Sequence, residues 1–561
     1  MHPKLNGLKY SVFWTGQGIF ARARKSFRSG IFNRMRLDTV SAIAILMAPL
    51  LFGLIIGSTG PSIDTMRNEV KNFEGHIFKL APGSRFEVFD EGQAAVYSSL
   101  VTIGAMIGSI MSGYITENFG FKSAILVTIP MYLAGSFILY VCKDVMLLFA
   151  ARTLTGIAVG INSFVVPTFL ADFAPVHLRG RFGTANQLCI TIGILAVYFL
   201  GMLFRVDDPG HAFAGTRPSG IELNDMDGFR HTSAIQEAPS RIFCNWRALA
   251  LVNALPALIL AMSLAFIPES PSWLASKGRI PEASYALARL RGDQETKEEL
   301  VALSSIHESV KKLHQAKLAG MQVSTWALMK RGWKQLGIAI ALQFFQQFSG
   351  INAIMFYCTS IMREAKVEQA ELVSVSVMLE QVLVTALAVM LMDLAGRKVL
   401  LIVGASVMAA ACGLFGLYFF LQSIQATSVI MLMYVSIYAY MAAFSIGVGA
   451  IPWLILGEIF PVQLRSVGAS VATLSNWIFA FIVTLAFQPA ASVIGVEGVL
   501  WTFGICCVGL VVFAALAVPE TKGKSIEEIQ EYFEPKAGSK EDEKASLIQS
   551  PAPVEQEAAT A

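Results

Sequence analysis

Twelve apolar stretches dominate the pattern of the chain: residues 40–60, 95–115, 124–142, 147–170, 184–204, 246–267, 335–360, 372–393, 399–421, 428–456, 467–491 and 497–518. Each approaches or exceeds the roughly 20 residues that a helix needs to cross a hydrocarbon core. Backbone N–H and C=O groups in lipid must be satisfied within the segment or in a closed barrel, so uninterrupted apolar runs of this length fold as helices. The pattern predicts an all-α membrane protein with 12 transmembrane helices.

Polar segments divide these spans into regions: a basic tail (1–38), a first group of six spans (39–267) with long connections at 61–94 and 205–245, a linker (268–334), a second group of six (335–518) and a final tail (519–561). The first 37 residues hold eight Lys or Arg and no acid, and the apolar run behind them is too long for a signal-peptide core. An uncleaved cytoplasmic tail is therefore expected. With that end inside, the even-numbered connections are also inside, and they collect Lys122, Arg179 with Arg181, the eleven basic residues of the linker, Arg397 with Lys398, and Arg465. Both termini are then cytoplasmic. The linker should form short amphipathic helices, one from Glu282 to Leu290 ending at Gly292. The 205–245 connection sets four Arg against six acids, and with 61–94 it is expected to form a solvated outer cap.

Composition sharpens this picture. The chain is 55% hydrophobic and 15% charged, with mean hydropathy +0.58, whereas soluble domains carry about 25% charge. A water-soluble protein is excluded. The formal net charge of +3 gives no reason to expect a nucleic-acid partner, and the lipid bilayer is the expected surroundings. Seven cysteines show no disulfide framework, none of the seven histidines falls inside a span, and no metal-spaced cluster or activated nucleophile is present. Neither an enzyme nor a metal or other cofactor is expected.

The halves repeat. Ala171-Asp-Phe-Ala-Pro-Val-His-Leu-Arg-Gly180 aligns without a gap on Gly457-Glu-Ile-Phe-Pro-Val-Gln-Leu-Arg-Ser466. Glu117-Asn-Phe-Gly-Phe-Lys122 matches Asp393-Leu-Ala-Gly-Arg-Lys398, and Pro268-Glu-Ser270 matches Pro519-Glu-Thr521. Duplicated halves are a common construction of secondary transporters. Charged groups at span ends can pair where such a bundle closes and separate where it opens.

These motifs, with Arg152-x-x-x-Gly156-x-x-x-Gly160, Pro167, Pro271, Gln346-Gln-Phe-Ser-Gly-Ile-Asn352, Pro452-Trp453, Asn476-Trp477 and Pro519-Glu-Thr-Lys-Gly523, resemble the sugar porter family of the major facilitator superfamily. The resemblance covers about residues 40–530. It implies a major facilitator fold: two pseudo-symmetric six-helix bundles, a cytoplasmic helical linker, and a central cavity for a monosaccharide. By family position it adds Gln187, Gln381, Trp453, Asn476 and Trp477 to a substrate site. It also implies an inner charge network of Asp172, Arg179, Glu269, Asp393, Arg397, Glu458 and Arg465.

The residues themselves support a sugar site. Gln343, Gln346 and Gln347 stand at i, i+3 and i+4 on one helical face, costly in lipid and apt for a wet cavity. Ser349-Gly350 can loosen the helix and turn Asn352 inward. Amides donate and accept at once, as sugar hydroxyls do.

Some positions depart from the family. Phe52-Gly53-Leu54 is followed by Ile55 where the resembling symporters place an acid opposite an Arg matching Arg152. Facilitated diffusion of a hexose-type sugar is therefore expected, with proton symport through Glu380, the one carboxylate well inside a span, as an alternative. A second alternative is a sugar sensor that signals through the 519–561 tail, which is short and has no recognisable folded module. Ser445 and Gln381 replace a Glu and an Asn usual in the glucose facilitators, and Asn118 and Phe121 replace two Arg. Gly57-Ser-Thr-Gly-Pro-Ser-Ile63 resembles the branch holding intracellular glucose facilitators and trehalose carriers. Glu543, Leu547 and Ile548 fit an acidic dileucine signal for a sorting adaptor, which favours endosomal, lysosomal or vacuolar membranes over the plasma membrane.

Overall fold

The structure, a computed structural model, describes residues 41, 43–63, 66, 91–142, 144–173, 179–203, 246–291, 304, 329, 330, 332–425, 430–460, 464–522, 524 and 526–533. The tail 1–38, most of both long connections, most of the linker, and Glu543, Leu547 and Ile548 lie outside these residues. Among the described residues the secondary structure is helical throughout. In chain order the helices of the first half are α1 (Met47–Gly57), α2 (Glu91–Phe119), α3 (Phe121–Val141), α4 (Val145–Phe173), α5 (Arg179–Leu203), α6 (Trp246–Val252) and α7 (Ala254–Leu264). Two short helices follow, α8 (Pro271–Ser276) and α9 (Ile280–Arg291). The second half holds α10 (Trp333–Phe348), α11 (Ile351–Glu364), α12 (Ala370–Ala395), α13 (Arg397–Ser423), α14 (Ile430–Ala443), a π-turn (Phe444–Val448), α15 (Ile451–Ile459), α16 (Arg465–Ala517) and α17 (Ile526–Phe533).

Eleven stretches among the described residues are long and apolar enough to span a membrane. Ten match the first ten expected spans. The eleventh, Val467–Ala517, covers the last two and is interrupted at Gly495, whose φ of 74° and ψ of 162° are not helical. A straight helix of this length at 1.5 Å per residue would run to about 75 Å, more than twice a hydrocarbon core. The hydropathy pattern places a boundary there but gives no sign that helical hydrogen bonding resumes at once.

Apolar side chains cover the outside of the bundle and make up most of its core, with hydroxyl-bearing residues set among the buried ones. Ile505 and Leu516 are 72% and 78% exposed, whereas Ser98, Thr102, Ser109 and Ser112 on α2 are fully buried. Each of those hydroxyls bonds back to a carbonyl of its own helix, Ser98 Oγ donating to Ala94 O at 2.7 Å and Ser112 Oγ to Ser109 O at 2.7 Å. Satisfied in this way, they can be buried at low cost. Small residues then let helices touch backbone to backbone. A Cβ on Gly104 or Gly108 of α2 would lie 2.2 Å or 2.1 Å from the carbonyl oxygens of Thr153 and Ile157 on α4.

Packing repeats between halves. α1 packs on α5 as α10 packs on α16, and the halves meet through α2 against α16 and α5 against α12, a pair of contacts related by the same duplication. The duplicated end motifs also fold alike. Glu269 accepts from the backbone N–H groups of Phe121 (3.1 Å) and Lys122 (3.2 Å) at the start of α3, and Glu520 accepts from those of Arg397 (3.1 Å) and Lys398 (3.1 Å) at the start of α13. The free N–H groups and dipole of a helix start suit a carboxylate. Gly120 and Gly396, at φ 92° and 88°, make room, since a Cβ on either would lie 2.6 Å or 2.7 Å from the facing carboxylate. Lys122 Nζ and Lys398 Nζ close each joint on the carbonyls of Ile267 and Ala515.

The two caps titrate in opposite directions. Burial raises the Glu269 pKa above the usual carboxylate value despite the N–H groups of Ser270, Lys122 and Phe121. At Glu520, less deeply buried, burial also pushes upward, but the N–H groups of Lys522, Arg397, Lys398 and Thr521 prevail and the pKa falls. A depressed carboxylate pKa contributes stability that is present above the unfolded value and lost as pH falls through the folded one. Glu520→Gln should therefore lower the melting temperature of the purified protein by a few degrees at pH 7, for about 1–2 kcal/mol of charge-assisted bonding. Its melting temperature should then fall less than wild type's on acidification below pH 4, and parallel curves would show that this cap is not titrating.

Candidate functional site

A cavity of about 640 Å³ lies between the halves, bordered by α1, α4 and α5 from the first and by α10, α11, α12, α15 and α16 from the second. Pro452 shapes one wall. It has no N–H to give to Val448 O, four residues back, and the π-turn ends at Val448. Gln346 Nε2 on α10 takes up this carbonyl and the next one, donating to Val448 O at 2.8 Å and Gly449 O at 3.0 Å. Gly350, left-handed at φ 92°, separates α10 from α11 so that Asn352 begins a new helix beside Gln347. The ring of Phe503 packs where a Gly350 side chain would be.

A relay of amides follows. Asn352 Nδ2 donates to Gln347 Oε1 at 2.6 Å, and Gln347 Nε2 donates to Asn476 Oδ1 at 2.6 Å, linking α10, α11 and α16. These bonds orient all three side chains. The remaining heteroatoms, Gln346 Oε1, Asn352 Oδ1 and Asn476 Nδ2, have no protein partner among the described residues. Gln381 Oε1 and the indole Nε1 of Trp477 are buried beside the cavity and also unbonded. Trp453 borders the cavity half-buried, and Phe52 packs on Trp477 across the halves at 5.9 Å. An apolar ring face with scattered donors and acceptors matches the two surfaces of a sugar.

Of the nine expected substrate residues, Gln187, Gln346, Gln347, Asn352, Gln381, Trp453, Asn476 and Trp477 border this cavity. Gln343 does not: it is fully buried away from the cavity with neither amide atom bonded among the described residues. Three residues back along the helix it is about 60° off the Gln346 direction and 4.5 Å displaced, enough to face a neighbouring helix. Asn162 on α4 and Asn186 beside Gln187, neither expected from the sequence, also border the cavity. An asparagine inside an apolar span was the available signal for the first.

The charged residues fall at one end. Asp172, Arg397 and Glu458 border the cavity there, with Lys524 and Ile529 at its rim. Asp172 accepts from Ser270 Oγ (2.6 Å) and Ser272 Oγ (2.7 Å) at the start of the linker, and Arg397 pairs with Glu458 at 3.4 Å within the second half. Glu269, expected in a network of charged side chains, instead holds the start of α3. The side chains of Arg179, Asp393 and Arg465 lie outside the described set. At the opposite end the halves are joined: Tyr198 Oη donates to Met355 O, and Tyr357 Oη donates to Ser98 Oγ at 3.4 Å. The cavity therefore extends from the amide relay toward the Asp172 and Glu458 end.

Two further groups bear on coupling. Arg152 is fully buried and donates to Ile55 O at 3.0 Å, Ser58 Oγ at 3.2 Å and Thr59 Oγ1, with its guanidinium 4.5 Å above the Tyr97 ring. All of these partners are neutral. Glu380 on α12 is half-buried and does not border the cavity, and its Oε2 has no partner among the described residues.

Comparison with known proteins agrees with this architecture. The family model for "Sugar (and other) transporter" matches residues 40–533. The mouse solute carrier family 2, facilitated glucose transporter member 8, is 30% identical over 522 residues, covering 89% of this chain and 95% of that protein. The facilitated trehalose transporter Tret1 of Apis mellifera ligustica is 30% identical over 503 residues, covering 89% of each. Arabidopsis thaliana sugar transporter ERD6-like 8 is 34% identical over 442 residues, 78% of this chain and 84% of that one. Among solved structures, the major facilitator superfamily proton:xylose symporter XylE bound to 6-bromo-6-deoxy-D-glucose aligns with a TM-score of 0.68 at 24% identity, covering 89% of this chain and 99% of that one. The inward open form of XylE from E. coli gives 0.61 at 23%, covering 88% and 99%. The fold is that of the major facilitator superfamily.

Proposed function

The chain belongs to the sugar transporter family, and we propose from this that it carries a hexose-type monosaccharide across its membrane by alternating access, as a facilitator. The amide relay is the observation that supports the cargo: Asn352, Gln347 and Asn476 are pre-oriented by one another and keep donor and acceptor atoms for a hydroxylated solute. A cavity of about 640 Å³ falls within the usual range for small-molecule sites, roughly 300–1,000 Å³. Among the described residues, the acids bordering it are Asp172 and Glu458 at one end, so the middle favours an uncharged ligand.

Facilitated diffusion is supported by the surroundings of Arg152. Proton coupling needs a group whose charge changes during the cycle. The guanidinium here is held by a carbonyl, two hydroxyls and an aromatic ring, none of which titrates near neutral pH. We assign the Asp172 and Glu458 end to the cytoplasm because the basic residues of the even-numbered connections gather there, which makes this conformation inward-facing. Asp172, Arg397 and Glu458, with Arg179, Asp393 and Arg465, would then rearrange as that end closes.

Uptake of labelled D-glucose into proteoliposomes should proceed at the same rate with or without an inward proton gradient and should stop at the outside concentration. Accumulation above that level, abolished by Glu380→Gln, would instead establish symport through Glu380.

A further inference from the structure

Asn162 offers the cavity a single, fixed acceptor. The residue sits on α4 and is 3% exposed. Its Nδ2 donates to Thr128 Oγ1 at 3.3 Å and to Tyr132 Oη at 3.1 Å, two fully buried groups on α3. The chemistry of α3 decides which way the amide points. Thr128 gives its own hydroxyl proton to Ile125 O at 2.7 Å, so toward Asn162 it presents only lone pairs. A flipped amide would set Oδ1 against the Thr128 lone pairs and keep only one bond to α3, accepting from the Tyr132 hydroxyl, instead of two. The NH₂ group must therefore face α3, where both of its hydrogens are used, and Oδ1 is the atom that remains.

That oxygen is buried and has no hydrogen-bond partner among the described residues, yet Asn162 borders the central cavity. A buried acceptor left unmade is costly, and a visiting donor would satisfy it. Its neighbours on α4, Ser163 Oγ and Thr168 Oγ1, are committed to carbonyls of their own helix and do not compete. We propose that Asn162 is a specificity-determining residue of the transport cycle, accepting a hydrogen bond from one hydroxyl of the sugar. The proposal rests on the sugar-carrier reading. Because Oδ1 only accepts and cannot rotate to donate, the site requires an O–H at one ring position. A hydrogen or a fluorine there is rejected, although fluorine is nearly isosteric and can itself accept.

The test is competition against labelled D-glucose uptake in proteoliposomes by the 2-, 3-, 4- and 6-deoxy and deoxyfluoro analogues. For wild type, one position should show deoxy and fluoro analogues both binding about 10-fold or more weaker than D-glucose. In Asn162→Ala, and in Asn162→Val should alanine not fold, D-glucose itself should weaken by about that factor while the two analogues stay within about 2-fold of their wild-type values, so the discrimination disappears. Tyr132→Phe, which leaves Oδ1 in place, should keep it. Equal weakening of all sugars in the Asn162 variants, or unchanged discrimination, overturns the assignment while leaving sugar transport intact. Absence of competition by any sugar in wild type overturns the carrier reading and this assignment with it.

Discussion

Gln347→Ala is expected to reduce sugar uptake about 100-fold or more in kcat/KM at matched protein levels, with the folded carrier still present in the membrane. The magnitude follows from the position of Gln347 in the relay. It receives a hydrogen bond from Asn352 Nδ2 and gives one to Asn476 Oδ1, each at 2.6 Å, and is itself nearly buried. Alanine leaves two buried groups unmade on two other helices, each costing about 1–3 kcal/mol when the partner alone is removed. Both amides are then free to rotate, so the transition between the two faces loses the pre-set geometry as well as one contact. A 100-fold loss corresponds to about 2.7 kcal/mol. Uptake by Gln347→Ala at wild-type rates would mean that the solute does not pass through this relay.

Gly160→Ala should act earlier, by removing most of the folded protein. A Cβ at Gly160 would lie 2.1 Å from Ala105 O and 2.6 Å from Ala105 Cα, and one at Gly156 would lie 2.4 Å from Val101 O. These obstacles are backbone atoms, which cannot swing aside as a side chain can. α2 and α4 would have to separate along the seam that also carries Gly104 and Gly108, at a cost above the ordinary 1–3 kcal/mol of overpacking. The yield of a monodisperse peak on gel filtration reports this directly. Gly413→Ala, with nothing within 4 Å of its Cβ, is the control and should fold as wild type does.

The legibility of this protein in its sequence divides along a physical line. Spans were legible because the bilayer imposes length and apolarity on each one separately. The break at Gly350 was legible for a similar reason, as Ser349 and Gly350 weaken the helix at the place where they stand. Polar residues at bilayer depth pointed to one place, and Gln346, Gln347, Asn352 and Asn476 border one cavity. Features that depend on distant partners were not legible. Glu269 looks like one half of an ion pair until its contacts with the start of α3, almost 150 residues earlier, are known. Asn162 looks incidental until Thr128 and Tyr132 fix its amide. Gln343 shows the opposite error: its spacing suggests a shared face, but a deviation of about 60° suffices to take it out of the cavity.

The roles assigned to the halves, the relay and the charged end meet in one requirement, that a hydroxylated solute crosses between them. Counterflow measures this without a gradient of any other kind. Purified protein in liposomes preloaded with unlabelled D-glucose, D-galactose, D-fructose or D-xylose should draw labelled sugar inward transiently above its outside concentration for at least one of the four, and Gln347→Ala vesicles should not. If wild-type vesicles show no counterflow for any of them, while the protein is folded and oriented in the bilayer, the account of this cavity as a sugar path is wrong.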